Sequence, residues 1–368
     1  MTWMRPLDGR SGQMTAEAGQ AVDTRQILFR ERHLIAAIEG VLSNFEAVWQ
    51  ANAHQTEISI AGGRFHLRSE HPDYLTQARR ALASRTAPTR TDCRIAVATL
   101  ANPALSAPLW PKETFRERPM EALLSATPYR LHYFPELQFW QLYDCDRATG
   151  LQIMPTNDGF PPWDPGSPLR NFLQWHLGSN TASLLHAGTL GLGGRGVLLA
   201  GAGGSGKSST VLAGIFDGLA SVGDDYVLVE TDTLTARPVF ETLKQDRAGL
   251  ERLSRLAHPA IPRATNWQGK YQFYMPDVSP QPLARALSLS ALLLPEITGG
   301  NQTSLTPVTS KEAFLALAPS GVTQIHCDRQ RLFSVAAEVA RKLPAYRLRL
   351  GTDPQEIVQA LRGFLEAP

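Results

Sequence analysis

The chain has 368 residues, which is enough for two domains with sizeable cores. Hydrophobic residues make up 43% of it and charged residues 19%, proportions typical of a globular enzyme, and no apolar stretch approaches the length of a membrane-spanning helix. A net charge of +2 gives no reason to expect nucleic acid or a membrane as a partner.

The cysteines and the first residues indicate where the protein works. Cys93, Cys145 and Cys327 are far apart and form neither a zinc-binding spacing nor a disulfide framework, so we expect a cytoplasmic, reducing location. Residues 1–20 are polar and lack the apolar segment of a signal peptide. Residues 1–22 are therefore predicted to be a disordered lead-in.

A segment rich in Pro and Gly, 157–166, marks a domain boundary. Before it, residues 23–165 are predicted to form an N-terminal α+β domain, a candidate for substrate recognition. After it, residues 166–368 are predicted to form a catalytic domain.

Apolar periodicity indicates both helices and strands in the N-terminal domain. Helical spacing over 23–49 predicts one long helix, or two with a break near Gly40. Alternating residues on both sides of Gly62-Gly63 predict a β-hairpin. The other predictions are a helix at 74–83, a strand at 94–98, a proline-bearing loop at 103–119, and a meander of strands at 129–133, 139–143 and 151–153.

The C-terminal domain begins with a predicted helix at 168–177 and a strand at 183–190. Residues 191–196 match the dinucleotide fingerprint G-x-G-x-x-G, but an apolar strand follows instead of a helix, so we predict a hairpin turn. The elements that close the fold are a strand at 287–294, helices at 311–317 and 331–342, a strand at 346–350, Thr352 as a helix N-cap and a helix at 354–365.

The strongest motif is GAGGSGKS, which satisfies the P-loop pattern G-x-x-x-x-G-K-[ST]. A buried strand precedes it and helical spacing follows it, which makes an ordinary Gly-rich turn a poor alternative. Backbone N–H groups of such a loop bind phosphate, Lys207 reaches the β- and γ-phosphates, and the Ser208 hydroxyl is a ligand for Mg²⁺. The predicted ATP-binding residues are Gly201, Ala202, Gly203, Gly204, Ser205, Gly206, Lys207, Ser208 and Ser209.

Two acidic residues, Asp224 and Asp225, lie between apolar runs after the P-loop helix. Placed at a strand end, one carboxylate would hold Mg²⁺ or its water shell, and the other would accept a proton from an attacking hydroxyl. The alternative is a solvated Asp-Asp turn, which the position directly after a P-loop helix makes less favourable.

At residues 185–230 the sequence resembles the catalytic core of bacterial HPr kinase/phosphorylase. The likeness rests on Leu185-His186-Ala187-Gly188, the glycine-rich loop that ends in Lys207-Ser208, and Asp224-Asp225, in register with the family. A wider resemblance is to HPr-kinase-related proteins, which include lasso-peptide precursor kinases, and extends to Leu294-Pro295, 305–308 and 346–348.

The resemblance implies an α/β, P-loop kinase domain of the HPr kinase (PEP carboxykinase-like) type, with a mixed sheet. It implies that Asp225 is the proton acceptor and that His186 is an active-site histidine, which orients Asp225 or tunes its pKa. A hydrogen-bonded core histidine is the alternative for His186. With Lys207, these residues are the predicted catalytic group.

The sequence also departs from the family. No Glu-Ile-Arg-Gly motif is present, and Glu241 is the nearest replacement for its metal carboxylate. The predicted metal ligands are therefore Ser208, Asp224 and Glu241. The dephosphorylation segment of the family is unmatched, so phosphorylase activity is not expected.

Basic residues follow between Lys244 and Lys270, and they are Arg247, Arg252, Arg255, His258 and Arg263. They predict either a lid that closes on phosphate or a surface for an acidic peptide, whereas the leucine spacing favours a solvated amphipathic helix. Lys270 is a candidate phosphate contact.

These patterns, with the resemblance, predict an Mg²⁺-ATP-dependent kinase that phosphorylates a serine hydroxyl of a peptide or protein, and the resemblance places a lasso-peptide precursor among the candidate acceptors. The expected cofactors are ATP and Mg²⁺, no nucleic acid or membrane partner is expected, and a homo-oligomer is left open. The alternatives are a P-loop ATPase, a nucleotide-gated peptide-binding module, a small-molecule hydroxyl kinase, and peptide binding at edge strands of the N-terminal domain.

Overall fold

The computed structural model describes residues 24–84, 92–105, 117–156, 161–254, 264–322, 325 and 328–367. Among the helices in these ranges, none combines the length and hydropathy needed to cross a bilayer. Outside the described residues lie the lead-in predicted at 1–22, the middle of the loop predicted at 103–119, part of the boundary segment, Cys327, Arg255, Leu256, His258 and Arg263.

The first half of the chain contains helices and strands in alternation. They are α1 Thr24–Leu42, α2 Phe45–Ala51, β1 His54–Ile60, β2 Gly63–Ser69, α3 Pro72–Ala81, β3 Asp92–Thr99, α4 Glu117–Leu124, β4 Tyr129–Phe134, β5 Phe139–Asp144 and β6 Thr149–Met154. Six described strands form one mixed sheet in the order β1-β2-β3-β6-β5-β4, in which β3 is parallel to both of its neighbours.

Most of the N-terminal predictions are confirmed. The helix over 23–49 is two helices, and strands β4, β5 and β6 form the predicted antiparallel meander. The first hairpin is present, but Ile60 pairs with Gly63, so its two-residue turn is Ala61-Gly62 and not Gly62-Gly63.

The second half of the chain starts with a 3-10 turn, Asp164–Gly166. The elements that follow are α5 Arg170–Leu177, β7 Ala182–Leu185, β8 Gly188–Leu192, β9 Arg195–Leu199, α6 Lys207–Phe216, β10 Val227–Glu230, β11 Thr235–Arg237, β12 Thr242–Gln245, α7 Arg247–Leu253, β13 Tyr271–Tyr274, α8 Met275–Val278, β14 Leu287–Ile297, β15 Ser304–Pro307, α9 Ser310–Val322, α10 Arg329–Lys342, β16 Ala345–Leu350 and α11 Pro354–Glu366.

The long strand β14 organises the second sheet. One edge of β14 pairs in parallel with β9, and the other edge pairs with β11 near its start and with β16 near its end. Strands β10 and β7 extend the sheet beyond β11, β15 lies beyond β16, and β12 and β13 form a separate two-stranded ribbon. The chain is therefore a mixed α/β protein, as predicted.

Two predictions in this half need correction. The strand expected at 183–190 is two strands, because the chain bends at His186-Ala187; β7 then pairs with β10 and β8 pairs with β9. The cap of α11 is Asp353, whose carboxylate accepts from the Gln355 N–H, and not Thr352. The hairpin predicted at 191–196 is confirmed, with Gly193-Gly194 at positive φ in its turn.

The two sheets share a core, and helix α5 lies between them. Trp175 of α5 stacks on Tyr143 of the first sheet, Phe172 meets the same ring edge-to-face, and both belong to the same buried cluster as Leu184 of the second sheet. Backbone contacts add to this junction, since Ala83 N–H donates to the Val239 carbonyl and Leu82 bridges to Phe240. The six-stranded sheet is thus packed directly on the P-loop half.

A buried chain of polar side chains crosses this junction. Asn171 donates to Gln141 at 2.8 Å, Gln141 donates to Gln152 at 2.8 Å, and Gln152 donates to the Tyr74 hydroxyl at 3.1 Å. Tyr74 in turn hydrogen-bonds Asp164 of the linker turn. Because each amide bonds its neighbour, the network fixes how α5 and the linker lie on the first sheet.

Asp164 makes stability depend on pH. Burial raises its pKa to about 7, against the opposing effects of the Leu169 N–H, Tyr74 and Arg170. The folded protein therefore keeps a proton that the unfolded chain releases, so stability falls as pH rises from about 4 to 7. We expect Asp164→Asn to remove this slope and to stabilise the fold at pH 7.5 by on the order of 4 kcal/mol.

Urea unfolding of wild type and Asp164→Asn at pH values from 4.5 to 8 measures this effect. Asp232→Asn is the matched control, because Asp232 is an exposed carboxylate and its replacement should change neither the slope nor the stability. An Asp164→Asn protein that is no more stable than wild type at pH 7.5 would contradict the assignment.

Candidate active site

The sheet registers bring three distant segments to one place. Gly188 pairs with Leu199, so β8 begins where β9 ends and the P-loop starts. Leu185 pairs with Val227, so β7 ends where β10 begins, directly after the two aspartates. The bend between β7 and β8 therefore lies beside both the P-loop and the acidic pair.

A cleft of about 640 Å³ opens at this meeting point. It is lined by P-loop residues including Lys207 and Ser208, by His186, and by both aspartates, with the 244–246 segment on the facing side. Trp163 and Ser167 from the linker segment before α5, and Arg170 at the start of α5, also line it. The cleft thus contains all predicted site residues except Ser205 and Glu241.

The strand–loop–helix order predicted for the P-loop is present, with β9 before the loop and α6 beginning at Lys207. Gly206 has φ +103, and a methyl group there would lie 2.4 Å from Leu350 Cδ1. Only glycine satisfies both the backbone angle and the space at this position. The conformation of the loop therefore depends on the backbone angle at Gly206 and on its close contact with Leu350.

Lys207 is buried in the loop, with 7% of its surface exposed, and its Nζ donates to the Gly201 carbonyl at 3.1 Å. Burial lowers the pKa of Lys207, and the nearby charges of Asp224 and Asp225 oppose that shift. The ammonium group is thus held inside the loop, within electrostatic reach of the acidic pair.

Asp224 has the surroundings of a metal ligand. The residue is 2% exposed, one carboxylate oxygen (Oδ1) has no hydrogen-bond partner, and the Ser208 hydroxyl hydrogen-bonds the carboxylate. Burial raises the pKa of Asp224, which a cation bound at the orphaned oxygen would reverse. The glycine at 188 leaves the space for this oxygen, since a methyl group there would lie 2.9 Å from it.

Asp225 is held by a different set of contacts. His186 Nε2 donates to Oδ1 at 2.9 Å, and Lys244 Nζ donates to Oδ2 at 2.7 Å. Burial by itself raises the pKa of Asp225, but the Lys244 ammonium and the His186 imidazole together hold it well below its usual range. Asp225 also has φ +79, a rare angle for a residue with a side chain. Its carboxylate is therefore ionised and fixed in orientation.

The imidazole of His186 has a second neighbour. Its ring centre lies 5.3 Å from that of Tyr226, and the Tyr226 hydroxyl accepts a hydrogen bond from Arg170 at 3.1 Å. His186 lies in the bend between β7, which pairs with β10, and β8, which pairs with the P-loop strand β9. The structure places the imidazole against Asp225, and its catalytic role stays a prediction.

Neither a protein-family profile nor a curated protein matches this chain. A solved structure, the Hpr(Ser) kinase/phosphatase from Coxiella burnetii, is similar over 50% of this chain and 95% of its own length, with 13% sequence identity and a TM-score of 0.26. Similarity at this level supports no conclusion about what this chain does.

Glu241 is not among the residues that line the cleft. It is buried just before β12, where its backbone N–H donates to the Ala81 carbonyl and its carbonyl accepts from Met275. The geometry gives no support to its prediction as a metal ligand. Among the residues that the structure describes, no three His, Cys, Asp or Glu side chains cluster as a metal cage. Mg²⁺ bound with a nucleotide needs fewer protein ligands, because phosphate oxygens and water complete its coordination shell.

Sequence patterns missed two cleft residues on β12. Lys244 pairs with Asp225, and Gln245 donates to the Ser209 hydroxyl at 2.7 Å. A signal was available: the alternation of Thr242-Leu243-Lys244 predicts a strand with Lys244 on its polar face. The helix expected after it is confirmed over 247–253, where Leu250 and Leu253 are buried and Arg252 reaches the cleft.

Proposed function

We propose that this protein is an Mg²⁺-ATP-dependent kinase that transfers the γ-phosphoryl group to an acceptor hydroxyl. The observation that carries the proposal is the shared cleft, in which an ionised, oriented carboxylate on Asp225 faces the P-loop that carries Lys207. A P-loop alone fits many nucleotide-binding proteins, whereas a carboxylate fixed on both oxygens beside it suits proton transfer.

Ser208 and Asp224 are the residues that would hold Mg²⁺. The orphaned Oδ1 of Asp224 and the Ser208 hydroxyl are hard oxygen donors of the kind that Mg²⁺ prefers. When bound, the ion supplies positive charge to the β- and γ-phosphate oxygens. Glu241 is not part of this proposal.

Each protein group has one task in the reaction. Lys207 binds the phosphate oxygens, and its charge offsets the negative charge that builds on the leaving ADP. Asp225 accepts the proton of the acceptor hydroxyl as the oxygen forms its bond to the γ-phosphorus. The bond from that phosphorus to the bridging oxygen breaks, so the products are ADP and a phosphate ester.

The acceptor is proposed from the sequence resemblance to be a serine of a peptide or protein. Arg170, Ser167 and Trp163 line the cleft together with Asp225, and we place the acceptor beside them. Because Trp163 also packs on Phe134 of the first sheet, with ring centres 5.2 Å apart, an acceptor held there would contact the N-terminal half.

The test is mass spectrometry of peptides encoded beside the gene after incubation with Mg²⁺-ATP and the protein. We expect a phosphate on serine in one of them, dependent on Mg²⁺. ATP consumption at the same rate with and without every acceptor, peptide or small alcohol, would overturn the kinase proposal in favour of an ATPase. Phosphate on a small alcohol alone would overturn the peptide acceptor and keep the kinase.

A further inference from the structure

Lys244 and His186 bind the Asp225 carboxylate from two sides. Each binds its own carboxylate oxygen, at 2.7 Å and 2.9 Å, and all three side chains are largely buried, with 12% to 20% of their surface exposed. A carboxylate fixed at both oxygens cannot rotate freely about its Cβ–Cγ bond. No sequence motif singled out Lys244.

The linker before α5, which contains the turn Asp164–Gly166, contacts the strand and the side chain of Lys244. Thr242, on the same strand, donates to the Gly166 carbonyl at 2.6 Å. A methyl group at Gly166 would lie 2.7 Å from Gln272 Oε1, 2.8 Å from Lys244 Cε and 3.1 Å from its Nζ, so the bare backbone of the linker lies against the ends of both side chains. A side chain at Gly166 would therefore crowd the Lys244 ammonium where it contacts Asp225.

We propose that Lys244 is a positioning residue for Asp225: with His186 it clamps the carboxylate toward the acceptor hydroxyl, and Gly166 sets where the clamp sits. This inference rests on the proposed kinase function. It assigns Lys244 a role through Asp225 and gives the linker between the two sheets a direct part in the geometry of the site.

The clamp has an electrostatic signature. The charged and titratable groups around Asp225 are His186, Lys244, Asp224, Lys207 and, through Tyr226, Arg170. After burial, which opposes ionisation, the Lys244 charge is the largest influence and lowers the pKa of Asp225. Removing it raises that pKa, so the acid limb of the rate profile moves to higher pH.

A purely structural role would give a different result. If Lys244 served only to neutralise the buried carboxylate, its loss would lower stability and move the acid limb, but kcat on the plateau above that limb would match wild type. As a positioning residue, its loss in Lys244→Gln should lower the plateau kcat roughly 10- to 100-fold while the KM for ATP changes little. Lys244→Arg keeps the charge and should retain the wild-type acid limb with a smaller loss.

The experiment measures kcat against pH for wild type, Lys244→Gln, Lys244→Arg and Gly166→Ala, with folding checked by circular dichroism at each pH. Lys311→Gln, an exposed lysine on α9, is the charge-matched control and should behave as wild type. Gly166→Ala, which displaces Lys244 without removing its charge, should move the limb in the same direction as Lys244→Gln. The double variant Asp225→Asn with Lys244→Gln should be no slower than Asp225→Asn alone.

An NMR titration of the Asp225 carboxyl carbon separates failure of this inference from failure of the kinase proposal, because it needs no turnover. The signal is assigned by its loss in Asp225→Asn. An unchanged pKa in Lys244→Gln, or an active Lys244→Gln with the wild-type rate profile, would overturn the inference. A wild type that transfers phosphate to no acceptor would overturn the kinase proposal and leave the NMR result to decide the clamp.

Discussion

Asp225→Asn is expected to bind Mg²⁺-ATP as tightly as wild type and to transfer phosphate about 10²- to 10⁴-fold more slowly. The amide keeps the size of the side chain but cannot accept a proton at neutral pH. Binding should survive because the phosphates are held by Lys207 and the P-loop backbone, which the change leaves in place. Single-turnover ADP formation measures transfer, and calorimetric titration with ATP measures binding.

Loss of the negative charge also leaves Lys244 buried beside a neutral amide, so a fall in stability must be separated from a fall in rate. Thermal unfolding with and without ATP provides that separation. Asp232→Asn again serves as the control, and it should keep both the rate and the affinity. An Asp225→Asn enzyme with the wild-type rate would remove Asp225 as the base.

Lys207→Met should have the second large effect, with ATP affinity and transfer both reduced, the transfer rate by about 10²- to 10³-fold. The ammonium is the buried positive charge of the loop, and methionine fills similar volume without it. Because burial disfavours the charged form of Lys207, we expect Lys207→Met to unfold at a temperature no lower than wild type.

The pairing of lost function with retained stability is what identifies Lys207 as a functional cation. Calorimetric titration, the ADP assay and a thermal melt on the same sample measure all three quantities. Lys311→Met, at an exposed position, should leave them unchanged. Wild-type ATP affinity in Lys207→Met would contradict the P-loop assignment.

Local patterns predicted the parts of the site that local physics determines. The P-loop at 201–206 could be predicted because its glycines supply backbone angles that other residues avoid. The strand before it and the helix after it could be predicted from their short-range periodicities. The split of the strand at His186 could not be predicted from the sequence. All residues from Ser183 to Leu190 are apolar or small except His186 itself, so only pairing with two different partners reveals the bend.

Lys244 and Glu241 illustrate the same limit. They are three positions apart, and the sequence favoured the acid as a site residue because it resembled a missing motif. Strand alternation and the pairing of β12 with β13 instead place the lysine in the cleft and the acid against the N-terminal half. Which of two nearby charges reaches a site depends on contacts with residues far along the chain, and no local pattern encodes them.

The position of α5 bears on how modular this chain is. Through Phe172 and Trp175, helix α5 packs on the first sheet as well as on the second. The linker just before it lies against the side chain of Lys244. A P-loop half cut free at residue 166 would expose an aromatic face to water. Transplanting it onto another domain would therefore require rebuilding that face. The two halves of the chain share one physical scaffold, so evolution or design cannot exchange one while leaving the other untouched.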